Sequence, residues 1–343
     1  MHLRNRQERN DMKTLITGAT GFIGSHIAEA CADKGWEVKL LVRDAGRLPD
    51  EVKKLSLETF IGDVRDAESL LKAMKGMELI VHSAALVGEW GDPKDFYDIN
   101  VQGMANMIDA AEKTGTKRLI DISSTSVHGY EGFNRDTEDM PYKKTGVLYS
   151  DTKLEAEKLV WEAHAQGRVI ATTIRPCMVW GPRDRAYFTK IIEMLKKRRM
   201  MYVNGGKNIA GLSHVRNICD AILLAAEKEE AQGKAFIITD DSDVTLREVV
   251  EKLCESLSLK KPIFGVSHAT AKLMSDVSER IFRKLGAKNT PMLTRMGVAC
   301  VSNNFSFDIS RAKNILGYAP RYTFPGALPE YIAWHKSEIS KEK

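Results

Sequence analysis

LITGATGFIGSHIAEACADKG, residues 15–35, decides the fold. MKTLIT (12–17) is a short β-rich run that ends at the first glycine, and SHIAEACADKG (25–35) has helical spacing with a glycine stop. Gly18, Gly21 and Gly24 lie between them. A glycine turn between strand and helix lets the backbone approach a pyrophosphate, whose charge then sits at the positive end of the helix. The G-x-x-G-x-x-G spacing departs from the general G-x-G-x-x-G fingerprint, so context carries the reading.

Working outward, apolar runs alternate with helical patterns. VKLLVR (38–43), ETFIGDV (58–64), ELIVHSAA (78–85), RLIDISS (118–124) and VIATTIRP (169–176) read as strands. Helices are predicted through SLLKAMKG (69–76), NVQGMANMIDAAEKTG (100–115) and Tyr149–His164. The alternation predicts parallel strands with helices on both faces, and continuous apolar runs fit a sheet covered on both sides. The fold class is α/β, a doubly wound parallel sheet of Rossmann type with a smaller, mainly helical C-terminal lobe.

The rhythm breaks after Gly181-Pro182. A helix through YFTKIIEMLKKRR leads to the turn-rich VNGGKN, then to a helix over 214–230 and a strand AFIITDD (235–241). Thr245 and Glu248 form a capping-box pattern at the head of a helix over 245–257. KLMSDVSERIFRKL reads as helix, whereas the rest of 266–304 gives no clear pattern. The expected organisation is a tail over 1–11, a dinucleotide-binding domain over 12–181 to which 214–241 returns, and a substrate lobe from 182–213 and 242–343.

Composition excludes several classes. The 343 residues suffice for a sizeable core, and 43% hydrophobic with 28% charged residues is ordinary for a soluble globular chain. With 51 basic and 46 acidic residues the net charge is +5, spread without a nucleic-acid motif. KKRR (196–199) reads as a solvated helix end, an anion or membrane contact being the other reading. The five cysteines are widely spaced with no C-x-x-C, which argues against disulfides or zinc and for a reducing, cytoplasmic setting. The eight histidines form no i, i+4 pair, so no metal site is expected. No apolar run approaches the ~18 residues that span a bilayer. The polar opening MHLRNRQERND is not a secretory signal.

Of the nine tyrosines only Tyr149 has a lysine, Lys153, four residues on. On a helix that spacing puts both side chains on one face. A free phenol titrates near pH 10, and a nearby ammonium is expected to lower that value. Tyr149 then exchanges a proton with a substrate oxygen. A hydroxyl of Ser123, Ser124, Thr125 or Ser126, at the end of the strand over 118–124, would hold that oxygen. Arg43 ends the second strand run, where an arginine accommodates a ribose 2′-phosphate, while the adjacent Asp44 is placed to serve a ribose hydroxyl instead.

These residues resemble the extended short-chain dehydrogenase/reductase superfamily from about Met12 to Trp334. TGATGFIG (17–24) matches its glycine motif, GDVRD (62–66) its adenine-contacting motif, HSAA (82–85) its third-strand motif, YSDTK its catalytic pair, and RPCMVWGP (175–182) the segment passing the nicotinamide. ISSTSVHG (122–129), aligned on its valine and glycine, assigns the serine role to Ser124. The resemblance thus implies Ser124, Tyr149 and Lys153 as catalytic residues. It implies a cofactor site of Gly18, Thr20, Gly21, Phe22, Ile23, Arg43, Asp63, Val64, Ala84, Ala85, Pro176 and Val179, together with Tyr149 and Lys153.

Within the superfamily, GEWGDPKDFYDINVQG (88–103) and HVRN (214–217) are similar to 3β-hydroxysteroid dehydrogenases and related 3-ketoacyl and dihydroflavonol-type reductases. This implies hydride transfer at a hydroxyl or ketone carbon of a fairly apolar small molecule, with NADP(H) preferred and NAD(H) possible. Alternatives are a sugar-nucleotide 4-epimerase with tightly bound NAD and a non-enzymatic nucleotide sensor. AGLSHVRN lacks the arginine–aspartate pair and H-V-D-D-like run of the epimerases, and Thr125 is followed by Ser126 rather than the acidic residue of the dehydratases. Candidate substrate liners are Val87, Trp90, Ser124, Thr125, His128, Met178, Tyr187 and Phe188, with ordinary core as the other reading of Met178 and Phe188. His82 is expected to orient a strand end. A homodimer through helices near 100–115 and 149–165 is implied by resemblance.

Overall fold

The computed structural model describes residues 11–285, 287 and 289–341; the tail assigned to 1–11 lies, except for Asp11, outside the described residues. β1 (Thr14–Thr17) runs into α1 (Phe22–Asp33), followed by β2 (Val38–Val42), α2 (Asp50–Lys54), β3 (Glu58–Ile61), α3 (Ala67–Met74) and β4 (Leu79–His82). α4 (Pro93–Phe96), a π turn over Tyr97–Gln102 and α5 (Gly103–Thr114) lead to β5 (Arg118–Ile122). Then come β6 (Phe133–Asp136), α6 (Leu148–Ala165), β7 (Ile170–Pro176), β8 (Met178–Trp180) and α7 (Tyr187–Lys196). β9 (Tyr202–Val203), β10 (Leu212–His214), α8 (Val215–Glu227), β11 (Lys234–Ile238) and α9 (Leu246–Leu257) follow. The chain ends through β12 (Gly265–Val266), α10 (His268–Lys284), α11 (Arg295–Ser302), β13 (Phe305–Phe307) and α12 (Leu328–Lys341).

Seven strands form one parallel sheet in the order β11-β7-β5-β4-β1-β2-β3. It is doubly wound and of Rossmann type. Adjacent residues of one strand serve opposite layers: Ile16, Val81 and Ile120 join one buried cluster, and Leu15, Ile80 and Leu119 the other. That is why the strands read as unbroken apolar runs. The direction of winding reverses between β1 and β4, and the crevice at their carboxyl ends is where ligands bind in such sheets.

Local chemistry accounts for the elements. Asp66 caps α3 by accepting from the Glu68 amide. Thr245 and Glu248 form both halves of the capping box on α9. The helix expected from residue 100 begins earlier, as α4 at Pro93, and passes through the π turn before α5, which ends at Gly115 with φ +75°. Three short parallel pairs, β8 with β10, β9 with β12 and β6 with β13, escaped the sequence reading. Each strand is three or four residues or fewer, too short to display a period. The ambiguous 266–304 segment holds α10 and α11.

Candidate active site

The glycine turn is packed to the limit. A Cβ on Gly18, whose φ is +78°, would lie 2.7 Å from the Ala84 amide nitrogen, and one on Gly24 would lie 2.3 Å from the Gly18 carbonyl oxygen. Gly21 donates to that carbonyl at 2.8 Å. Gly21 is the N-cap of α1 and offers no side chain to its amides. The first N–H groups of α1 therefore remain open to an anion, and the bare glycine backbone fits a pyrophosphate. Thr20, Phe22 and Ile23 lie half-buried around this mouth.

The ends of β2 and β3 supply the next contacts. Arg43 is exposed beside Asp44, whose carboxylate accepts from the Gly46 amide at 2.8 Å. Asp44 is thus engaged in its own turn, whereas Arg43 is turned to solvent. Asp63 is held by Arg65 at 2.7 Å, and that hydrogen bond keeps its carboxyl below the usual range. Val64 beside it is buried. At the end of β4, Thr17 Oγ1 lies 2.9 Å from His82 Nδ1 and accepts from the Ala84 amide at 3.2 Å. Burial lowers the His82 pKa to about 3, so the ring is neutral. This network fixes the loop carrying Ala84 and Ala85.

One stripe of α6 organises the rest. Tyr149, Lys153 and Glu157 follow one another at four-residue steps and so share a face. Ser124 Oγ accepts from the Ser126 amide at 3.1 Å, and its hydroxyl is near enough to the Tyr149 phenol to lower its pKa. Lys153 Nζ donates to Asp121 Oδ1 on β5 at 3.3 Å, with both side chains buried. Glu157 receives Arg175 Nε at 3.0 Å, Tyr142 Oη at 2.9 Å and Trp161 Nε1 at 3.0 Å, and also the hydroxyl of Ser123. Burial alone would raise the Glu157 pKa, but Arg175 and these donors outweigh it and hold the carboxylate ionised.

The expected lowering of the phenol's pKa does not appear. Burial raises the Tyr149 pKa, Lys153 and Ser124 pull it down, and Asp121 pushes it up again. The lysine is real, but the carboxylate at its ammonium answers part of its charge. Asp121 itself is pushed up by burial, and its Oδ2 has no partner among the described residues. RLIDISS carried the only signal for this group, a lone acid in an apolar run.

The four competing hydroxyls differ in their surroundings. Ser123 donates to Glu157, Thr125 and Ser126 are buried, and Ser124 Oγ accepts from the Ser126 amide at 3.1 Å while lowering the Tyr149 pKa. Asn100, unnoticed in the sequence, lies in the π turn and binds Leu86 in both directions, at 2.7 and 3.1 Å, and Thr152 at 2.9 Å. It pins the loop after β4 to α6.

The expected liners scatter. His128 is buried, with Nδ1 3.1 Å from the Pro141 carbonyl and Nε2 3.1 Å from Arg175, so neither nitrogen is left for a ligand. Phe188 is wholly buried in an aromatic cluster with Trp180, Phe324 and Tyr331. Met178 and Pro176 are buried, Val179 half-buried, and Val87 exposed. Trp90 Nε1 donates to the Ala287 carbonyl at 2.8 Å. Tyr187 keeps a buried hydroxyl with no partner among the described residues. Glu89, also missed, has its pKa raised by burial, which Thr294 partly offsets. In HVRN, His214 caps α8, and Asn217 ties Asp240 to the Tyr322 backbone.

Among the described residues no helix is long and apolar enough to cross a membrane, and no group of His, Cys, Asp and Glu could hold a metal ion. A family model described as NAD dependent epimerase/dehydratase matches residues 14–239. The chain is 27% identical over 319 residues to a 4-hydroxy-2-methyl-3-oxo-4-farnesyl-3,4-dihydroquinoline-1-oxide ketoreductase of Stigmatella aurantiaca, covering 92% of this chain and 95% of that one. It is 28% identical over 343 residues to a 3-beta-hydroxysteroid dehydrogenase of Mycolicibacterium neoaurum, covering 95% and 92%. The crystal structure of gox2253 superposes with a TM-score of 0.78 at 28% identity, covering 95% of this chain and 98% of that one.

Proposed function

Because the chain belongs to the NAD dependent epimerase/dehydratase family, an NAD(P)-dependent group of the extended short-chain dehydrogenase/reductase superfamily, we propose that it reduces a ketone of a fairly apolar substrate. A steroid 3-ketone and a 3-ketoacyl chain are the two favoured classes. One observation carries the reading: Tyr149 and Lys153 share one face of α6, with Lys153 Nζ 3.3 Å from Asp121 Oδ1 on the strand that leads to Ser124, and both Lys153 and Ser124 pull the Tyr149 pKa down. The names of the two relatives, one carrying a farnesyl group and the other a steroid, support an apolar substrate.

The nicotinamide supplies the hydride when bound; this chain's residues handle everything else. Ser124 holds the substrate oxygen. Tyr149, kept protonated by burial, donates its proton to the oxygen as negative charge develops there. Lys153 tempers that burial, and Asp121 sets how strongly it does so. A phenol that stays protonated through neutral pH suits reduction better than oxidation.

Two features support NADP(H): Arg43 is free of an ion pair among the described residues, and the Asp44 carboxylate is already engaged. A 2′-phosphate suits the guanidinium. A homodimer through α5 and α6 and a cytoplasmic setting belong to the same reading, the second supported by five unpaired cysteines.

The family description favours one rival, a sugar-nucleotide 4-epimerase that retains its NAD. Fluorescence of the purified protein separates the two, since stoichiometric bound NADH belongs to the epimerase. The direct test is Tyr149→Phe, assayed on steroid and 3-ketoacyl ketones with NADPH and NADH. Turnover is expected to fall at least ~100-fold with cofactor affinity kept. Near-normal turnover discards the proton role.

A further inference from the structure

α10 is built inside out. Its buried residues are Ala271, Ser275 and Glu279, a small and polar stripe at four-residue steps. Glu279 is held there by the Arg295 amide at 2.8 Å and its Nε at 2.9 Å. The opposite stripe is apolar and faces water. Leu273 is 65% exposed, and Val277 and Ile281 follow at four-residue steps, also exposed; Leu285, just past the helix, is 75% exposed. Met274 lies beside them, and Ile263 and Phe264, ahead of the helix, are 88% and 74% exposed. A surface helix of a globular protein turns its apolar stripe to the core, and an exposed stripe of this length marks a contact surface.

The charges around the stripe say which contact. Arg280 is three residues from Val277, and Lys284 three from Ile281, so each flanks the apolar row. Lys272, Arg280 and Lys284 are exposed, and the ion pairs of the described residues leave all three out. An apolar row edged by arginine and lysine is the pattern of a helix that lies in a lipid interface. A two-fold pairing of the same face would set one basic edge against another, which like-charge repulsion opposes. The helix does not span a membrane; it is suited to lie along one.

We propose that α10 docks this protein on an anionic bilayer surface, with Leu273, Val277, Ile281 and Leu285 in the acyl boundary and Lys272, Arg280 and Lys284 among the headgroups. The end of the helix meets the loop after β4: Trp90 donates to Ala287, and the Arg283 guanidinium lies 5.6 Å from the Trp90 ring centre. Docking therefore brings the lip of the cleft to the lipid, where apolar molecules accumulate. The surface itself stands independently of the reaction assigned above.

The test is cosedimentation of the full chain with vesicles of phosphatidylcholine alone and of equal parts phosphatidylcholine and phosphatidylglycerol. The wild type is expected to pellet with the mixed vesicles, to bind the neutral ones more weakly, and to be released by salt. Leu273→Glu combined with Ile281→Glu abolishes pelleting. Arg280→Gln with Lys284→Gln weakens it roughly 30-fold, from about fivefold per basic residue at the surface. All four positions are exposed, so the unfolding temperature checks that each variant is folded. A wild type that stays in the supernatant overturns the proposal, as does a glutamate variant that still pellets. If the wild type ignores vesicles but sediments as a dimer that Ile281→Glu splits, the face belongs to a second copy and the lipid assignment is overturned.

Discussion

The sheet and α10 break opposite rules. Beneath the sheet's carboxyl edge, the ionisable side chains of Asp121, Lys153, Glu157 and Arg175 lie at 4% exposure or less, where such groups are normally excluded. On α10 it is apolar side chains that stand in water. In the sheet half Asp121 meets Lys153 and Glu157 meets Arg175 at short range, and Asp121 Oδ2, without a partner among the described residues, belongs to a carboxyl that acts on the proton donor. On α10 the misplaced groups are left uncovered by the described residues. A buried charge that is answered internally points to chemistry or scaffolding; an exposed apolar row points to something outside the molecule.

The two buried ion pairs on α6 sharpen this comparison, because they are not equivalent. Glu157 has five side-chain donors around it, from Arg175, Ser123, Tyr142 and Trp161. Glu157→Gln keeps the shape and leaves the Arg175 guanidinium buried without its counter-charge. The expected cost is about 3–5 kcal/mol of stability, read as a lower urea midpoint at unchanged slope. A loss under ~1 kcal/mol would mean that water reaches Arg175 and that the sheet half is not as dry as its geometry states.

Asp121 holds Lys153 with one oxygen only, so its replacement is felt in the chemistry more than in stability. Asp121→Asn removes the negative charge that raises the Tyr149 pKa. Lys153 then acts on the phenol unopposed, and the pKa falls. Reduction needs the protonated phenol, so the alkaline limb of the pH–rate profile moves to lower pH. Turnover at its maximum loses less than the ~100-fold assigned to the phenol itself. An unmoved alkaline limb, with the Tyr149→Phe loss intact, would leave the proton role standing and remove Asp121 from it.

Sequence patterns made the sheet legible because both its layers are covered: each strand announced itself as an apolar run, and TGATGFIG and YSDTK marked its edge. Asp121 stayed invisible for the same reason, as one acid inside a run read for its apolar neighbours. Alignment on Val127 and Gly129 points to Ser124 among four hydroxyls, and nothing in the sequence signals that Ser123 is engaged by Glu157. His128 and Phe188 are candidate pocket liners in the sequence, with ordinary core the other reading of Phe188, but side-chain direction is a tertiary property, and both turn into the interior. On α10 the periodicity was present, and KLMSDVSERIFRKL reads as a helix. What periodicity cannot supply is which side of an amphipathic helix faces in, since the rule assumes that the apolar side does.

The smallest expected effect is the most discriminating one. Leu273 is 65% exposed in the folded chain, so little of its apolar surface leaves water on folding, and Leu273→Ser removes almost no burial. The expected change in stability is within about 0.5 kcal/mol, the usual range for surface positions. The matching truncation in the sheet, Leu79→Ala at a wholly buried position, falls in the class that costs about 2–5 kcal/mol. A Leu273→Ser loss approaching that of Leu79→Ala, measured in the same urea series, would place the α10 stripe against protein in the free chain and leave no face for a bilayer. A negligible loss keeps the two halves of the molecule as different as their geometry makes them: one holds its misplaced groups for its own chemistry, the other offers them outward.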